Sequence, residues 1–358
     1  MPVGSFWGAG CGMPSGIPGL SFGGFRVVAR DGGDVLFDEV CAPDGLNALQ
    51  SALPEVFKTE FDLRLATLQQ PRQSLELSGL ERSLAFSRPL VMGVLNVTPD
   101  SFSDGGRFLD ADAAIAHARQ MISEGVDVID IGGESTRPGA TPVWEGEEAD
   151  RVVPVIDALK ESGIPLSIDS RHAFVMDKAL MAGAHIINDV SALTYDPDSL
   201  SLAANCDAPV VLMHAQGTPK TMQDAPAYDD VLLDVYDYLN ERIGACEAAG
   251  IARSRLIVDP GIGFGKRVVQ DNLALMNGLG LFHTLGCPLL VGASRKRFIG
   301  AITGEEQADG RLAGSLAAAL KAAEAGVQIL RVHDVKETAQ AMKVLQAMHD
   351  SAMIGGTS

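Results

Sequence analysis

Three polar side chains stand where an apolar run ends: Asp169 closes LSID, Asn188 closes HIIN and Asp259 closes LIVD. Two carboxylates and an amide suit the N–C–N edge of a guanidine-like heterocycle such as a pterin or guanine, because a carboxylate accepts two parallel N–H donors. A second set has the opposite sign. Arg137, Arg295, Arg331 and His333, with Lys296, supply cations and N–H donors fit for phosphate groups. The 358-residue chain carries a formal net charge of -18, so an anionic substrate has to meet such a local cluster. The two sets ask for two different ligand groups.

The elements that must position them follow from the rhythm of the chain. Short apolar runs at residues 90–95, 126–131, 165–168, 185–188, 209–213, 256–258, 288–291 and 328–332 alternate with amphipathic stretches such as 111–124, 231–249, 311–325 and 335–348. That alternation predicts parallel strands joined by helical crossovers. Each run ends in a polar or glycine-rich cluster: Asn96, the stretch GGESTRPGA, Asp169, Asn188 with Asp189, His214, Asp259, Ser294-Arg295-Lys296, and Arg331 with His333. Turn chemistry alone accounts for any one cluster, but not for eight in step. In a closed barrel all of them face one mouth, where barrel enzymes keep their sites. The expected fold is therefore α/β, a (β/α)8 TIM-type barrel over residues 75–350. An open doubly wound sheet is the alternative, since periodicity does not show whether a sheet closes. Ahead of the barrel, residues 1–24 read as a flexible Gly/Pro-rich arm. Residues 25–74 read as a small N-terminal α/β appendage, with two strands around Asp31-Gly32-Gly33-Asp34 and a helical stretch at 47–68. Residues 351–358 form a C-terminal tail.

Other function classes fail on spacing or charge. The run GIGFGK from Gly261 is neither a dinucleotide fingerprint nor a P-loop. The five cysteines form no CxxC pair, which argues against a zinc site or a disulfide framework and for reduced thiols in a cytoplasm. No apolar run approaches the ~20 residues of a membrane span, and the first 24 residues lack the basic and apolar regions of a signal peptide. The basic run from Ser294 to Arg297 is too short for nucleic acid in so acidic a chain, so neither nucleic acid nor membrane is an expected partner. His214 reads as a core histidine.

Six motifs carry a resemblance: VMGVLNVTPDSFSDGG from Val91, VIDIGGESTRPGA from Val128, GAHIINDVSAL from Gly183, LIVDPGIGFGK from Leu256, LLVGASRKRFIG from Leu289 and RVHDVKET from Arg331. Over residues 75–350 the chain resembles the dihydropteroate synthases. The resemblance implies a transferase of folate biosynthesis that joins a dihydropterin diphosphate to p-aminobenzoate, releases diphosphate and uses Mg2+. By position it gives Asp169, Asn188, Asp259 and Lys296 to the pterin, and Asn96, Arg137, Arg331 and His333 to the diphosphate. It makes Asn96 also the magnesium ligand. Ser135, Thr136 and Pro138, with Ser294 and Arg297, fall to p-aminobenzoate and competing sulfonamides, and Lys296, Arg331 and His333 become the catalytic group. A homodimer is implied as well. On this assignment, Arg331→Ala is expected to cut turnover while sparing pterin recognition. Two other readings are weighed: a pterin-dependent methyltransferase, which needs no diphosphate pocket, and a pterin binder without turnover.

Overall fold

The computed structural model describes residues 5–7, 12–81, 83–97, 107–134, 143–217 and 225–354. The segment expected as an arm is folded in its described part. Strands β1 (Ser5–Trp7) and β2 (Met13–Pro14) both pair antiparallel with β3 (Leu20–Phe22), and Leu20 and Phe22 are buried. Its glycines allow close approach rather than mobility: Gly16 N–H donates to Leu68 O at 2.9 Å, and a Cβ at Gly16 would sit 1.7 Å from Gln70 O. The expected hairpin forms as β4 (Phe25–Asp31) and β5 (Asp34–Cys41). The expected single helical stretch is two helices, α1 (Leu46–Ala52) and α2 (Glu55–Gln69). Pro54 divides them, because the residue before a proline is pushed out of the helical region, and Leu53 sits at ψ 144. The appendage is tied to the remainder by Arg30, which donates to Asp234 and Asp237, and by Arg64, which donates to Asn240 and to Thr284 O.

Eight strands then alternate with helices: β6 (Leu90–Asn96), α3 (Arg107–Glu124), β7 (Val128–Gly132), α4 (Glu145–Leu159), β8 (Leu166–Asp169), α5 (Ala173–Ala182), β9 (Ile186–Asp189), α6 (Ser199–Ala204), β10 (Val210–Met213), α7 (Val231–Ala248), β11 (Leu256–Asp259), α8 (Gln270–Asn277), β12 (Leu290–Val291), α9 (Arg297–Thr303), α10 (Leu312–Glu324), β13 (Ile329–Val332) and α11 (Val335–Ile354). The sheet order is β11-β10-β9-β8-β7-β6-β13-β12, all parallel, and a parallel bridge from Val258 to Leu289 joins its two ends. Strand neighbours are therefore sequence neighbours all the way round. That decides for the (β/α)8 barrel over the open sheet, whose strand order would reverse at a switch point.

Period-two alternation sorts each strand between two cores. Val91, Ile129, Ile131, Ile168, Ile187, Leu212, Val258 and Leu330 face outward and pack against the helices. Leu90, Met92, Val128, Ile186, Val211, Ile257, Leu290 and Ile329 fill the lumen near the strand starts. Leu75, Leu77 and Leu84 join this second cluster, with Leu75 and Leu84 exchanging backbone hydrogen bonds, so these three side chains stopper the amino-terminal end. Each buried Leu or Ile is worth roughly 1.5–3 kcal/mol in transfer from water. Filled with apolar side chains near the strand starts and wrapped by helices outside, the lumen offers its carboxyl-terminal end for polar chemistry.

Candidate active site

The same alternation that places Val128 in the lumen floor places Asp130 two residues above it, and it places Arg331 above Ile329, Asn188 above Ile186 and Asp259 above Ile257. These side chains form one polar layer. Arg331 reaches across it, Nε donating to Asp130 Oδ2 at 2.6 Å and Nη2 to Asp169 Oδ2 at 2.6 Å. Asn188 Nδ2 donates to the same Asp130 oxygen at 3.0 Å. The remaining oxygens, Asp130 Oδ1 and Asp169 Oδ1, are buried and have no hydrogen-bond partner among the described residues. Such acceptors are costly to leave unmade, and that of Asp169 marks where ligand donors belong.

Burial lifts the Asp169 carboxyl to about 7 against the pull of Arg331, and the carboxylates of Asp130, Asp189 and Glu134 add to the rise. Burial likewise raises Asp259, which Lys296 opposes; its Oδ1 accepts from Gly261 N–H at 2.7 Å. Lys296 moves the other way. Burial lowers its amine to about 7 despite the attraction of Asp259, with Arg331 adding to the drop. Its Nζ donates to Ile262 O and stands 4.3 Å from the centre of the Phe264 ring. Asp169 and Lys296 thus both stand near their titration points at neutral pH, able to change protonation when a ligand brings its own donors or charge.

The third layer is the rim. Ser294 Oγ lies 3.1 Å from His333 Nδ1 and accepts from His333 N–H at 3.2 Å, so the two residues are held together at the ends of the seventh and eighth barrel strands. Asn96 ends β6, half-buried, in register with Gly132, which in turn pairs with Asp169. Arg297 opens α9 and is exposed. Ser135, Thr136, Arg137 and Pro138 lie outside the described residues. The base of their loop is fixed: Arg171 donates to both oxygens of Glu134 at 3.0 Å, and Val143 N–H donates to Glu134 Oε1 at 3.1 Å. The structure thus gathers Asp169, Asn188, Asp259, Lys296, Arg331, Ser294, His333 and Asn96 at one end of the barrel.

Arg295 does not join them. It sits in the left-handed region at φ 59 and donates to Asp334 and Asp309, while its own N–H donates to Ser315 Oγ at 2.8 Å. Its charge is consumed in holding the α9 entry to the start of α11. Arg295→Ala should therefore lower stability by about 1–2 kcal/mol and change KM less than about threefold. Thermal unfolding and steady-state kinetics on the one variant check both.

Reading the sequence missed three groups. Asp130 is fully buried, and a lone acid at an inward position of the run VIDIG was the available signal. Lys266 is 1% exposed and donates to Phe264 O at 2.9 Å and His214 O at 3.3 Å, with its Nζ 2.9 Å from His214 Nδ1. Burial lowers it to about 7 and His214 to about 3, so this pair braces the sixth loop against the fifth with the imidazole neutral. Gly261 makes that contact possible: at φ 68, a Cβ there would lie 1.9 Å from His214 O. The third group is Glu148 in the first turn of α4, fully buried, whose spacing in EGEEADRV reads as an ordinary acidic helix start.

Comparison with known proteins matches this architecture. The family model for pterin binding enzymes covers residues 92–333. The dihydropteroate synthase of Escherichia coli K12 is 50% identical over 266 residues, spanning 74% of this chain and 93% of that protein. Among solved structures, dihydropteroate synthase of Xanthomonas albilineans with 4-aminobenzoic acid superposes with a TM-score of 0.72 at 50% identity, over 77% of this chain and 98% of that one. The same enzyme in complex with 7,8-dihydropteroate gives a TM-score of 0.70 at 46% identity, again over 77% and 98%. With its barrel and half its aligned residues shared with enzymes of that name, the chain belongs to the dihydropteroate synthase family of transferases.

Proposed function

We propose that the chain condenses (7,8-dihydropterin-6-yl)methyl diphosphate with 4-aminobenzoate, giving 7,8-dihydropteroate and diphosphate. The observation that carries this reading is the floor itself, where the buried Oδ1 of Asp169 lacks a partner among the described residues beside Asn188, Asp259 and Lys296. A heterocycle with an N–C–N donor edge supplies what that oxygen lacks. Asp169, Asn188, Asp259 and Lys296 hold the pterin. Asn96, Arg137 and His333 face its diphosphate, joined by the part of the Arg331 guanidinium not given to Asp130 and Asp169. Ser135, Thr136, Pro138, Ser294 and Arg297 form the p-aminobenzoate side.

The arylamine is a neutral nucleophile at pH 7, so the transfer needs no strong base. The barrier lies in departure of the diphosphate as the C–O bond at the 6-methylene breaks and the C–N bond forms. The amine's proton leaves to solvent or to the departing oxyanion. Donors at the rim, the His333 ring foremost, stabilise the charge growing on that oxyanion. Among the described residues the converging sets of acidic and histidine ligands are Glu134, Glu148 and His172, and Glu145, His172 and Asp196; Asn96 belongs to neither. A single uncharged amide oxygen at the mouth fits Mg2+ that takes its other ligands from diphosphate and water, the usual habit of that ion. Asn96 would hold it, and when bound it would supply Lewis-acid stabilisation of the leaving group.

Two further parts of the reading are proposals of the same kind. The small residues Ala318, Ala319, Ala322 and Ala323 of α10 are buried within the protomer and serve its own packing, so the homodimer we assign rests on the family resemblance alone. The thiols Cys246 and Cys287 are buried and unpaired, which suits a reducing cytoplasm. No helix among the described residues is long and apolar enough to cross a membrane.

The test is diphosphate release by purified protein given the dihydropterin diphosphate and magnesium, with and without p-aminobenzoate. Release that requires p-aminobenzoate, with dihydropteroate formed, supports the synthase. Calorimetric binding of the pterin with no release in either case favours the binder without turnover.

A further inference from the structure

Asp130 shares the polar layer of Asn188, Asp259 and Arg331 but is more fully buried than any of them. It is fully buried on β7, in register with Val94 on one side and Ser167 on the other. Its Oδ2 accepts from Arg331 of β13 and from Asn188 of β9, and each of those strands is two places away from β7 in the sheet. Both bonds therefore cross the lumen rather than join neighbouring strands. They fix the two groups in complementary ways. Nε of Arg331 is anchored, so that Nη2 is aimed at Asp169, and without that anchor a guanidinium that is 20% exposed would be restrained at one nitrogen only. Asn188 commits Nδ2 downward, which leaves its Oδ1 as the atom that can turn to a ligand.

We propose that Asp130 is a positioning residue for the transfer, setting through Arg331 and Asn188 the geometry in which the pterin is held, without touching the reacting atoms. This rests on the synthase reading above. It also explains why an acid is kept in an otherwise apolar strand: a buried carboxylate is costly unless it is paired and hydrogen-bonded, and Asp130 is both.

The experiment is Asp130→Asn, which keeps the shape and removes the charge, studied beside the wild-type enzyme. kcat/KM for the dihydropterin diphosphate should fall roughly 10- to 100-fold, the loss expected for charge-assisted hydrogen bonds, while KM for p-aminobenzoate stays within about twofold. A second readout separates positioning from mere structural support. The groups around Asp169 are Arg331, Asp130, Asp189 and Glu134, and Asp130 is one of the carboxylates that push its pKa up. Asp130→Asn should therefore move the acid limb of pterin binding to lower pH, a shift that loosened packing would not produce. In an Arg331→Lys background the effect of Asp130→Asn should shrink, because the residue acts through that guanidinium. A change in kcat/KM under about threefold, an unmoved acid limb, or strictly additive effects in the double variant would each overturn the proposal. If Asp130→Asn does not fold, Asp130→Ser, which leaves room for a bridging water, carries the same measurements. Absence of wild-type turnover would defeat the synthase reading, whereas unaltered pterin binding by the variant would defeat this proposal.

Discussion

Arg331→Ala should weaken binding of a pterin that lacks the diphosphate as well as turnover, each by roughly tenfold or more. Family position alone gives Arg331 to the diphosphate and implies that pterin recognition survives its loss. The geometry says otherwise, because two of its donors are engaged in the floor, at 2.6 Å from Asp130 and 2.6 Å from Asp169. Removing one partner of a buried ion pair leaves the other charge uncompensated, at a cost of about 3–5 kcal/mol. The protein has a cheaper response, which is to protonate Asp169. Its pKa already stands at about 7 with Arg331 pulling it down, so removal of the guanidinium pushes it higher and makes it a carboxylic acid at neutral pH. A carboxylic acid no longer accepts two parallel N–H bonds. Pterin affinity should then recover partly as the pH is raised, because alkali returns the carboxylate. Titration calorimetry near neutrality and at about pH 8.5 reads this linkage directly. Unchanged affinity beside lost turnover would return Arg331 to a role confined to the leaving group.

The amino-acid order discloses part of this fold and site and withholds the rest. The eight β–α units, the hairpin at Asp31-Gly32-Gly33-Asp34 and the polar ends of the strands are local patterns, and each appears where the run of residue types places it. Strand ends differ from expectation by one or two residues, as where 126–131 becomes Val128–Gly132, since hydrogen-bond pairing rather than hydropathy sets the boundary. Closure of the sheet is not local. It depends on the bridge from Val258 to Leu289, between segments whose apolar runs would look the same in an open sheet. The arm misled because glycine and proline signal irregular backbone, not absence of packing, and Leu20 and Phe22 are buried regardless. Within the site, residues at strand ends are legible as clusters, whereas Asp130, Lys266 and Glu148 are buried apart from those clusters. Their roles depend on which neighbours cross the lumen or lie under a loop. Arg295 is the converse case: a cation in the right motif whose left-handed backbone turns it toward Asp334 and Asp309.

Glu148→Gln should stabilise the protein increasingly as pH rises from about 5 to 9, reaching an advantage on the order of 4 kcal/mol at the alkaline end. Glu148 is fully buried, and neither carboxyl oxygen has a hydrogen-bond partner within ordinary limits among the described residues. Burial raises its pKa to about 8, Glu134 and Asp169 add to the rise, and Ser170 and Arg171 oppose it. The carboxyl is therefore held protonated in the folded state well above its unfolded value of 4.5. A raised acid favours folding fully below the unfolded pKa, and the benefit is lost as pH climbs through the folded one. The window thus opens near 4.5 and closes near 8. Glutamine has nearly the same shape and cannot ionise, so the variant escapes that loss. The difference between the two proteins isolates the effect from two opposing contributions in the same range. Asp169, raised to about 7, loses stabilising power with rising pH, whereas Lys266 and Lys296, both lowered to about 7, gain it. The lysine contributions cancel between wild type and variant, and that of Asp169 does so apart from its mutual repulsion with Glu148. Urea unfolding of both proteins at about pH 5, 7 and 9 measures the divergence. Parallel stability curves would mean that Glu148 is ionised throughout, with a cation or solvent reaching the space it shares with Glu134 and His172.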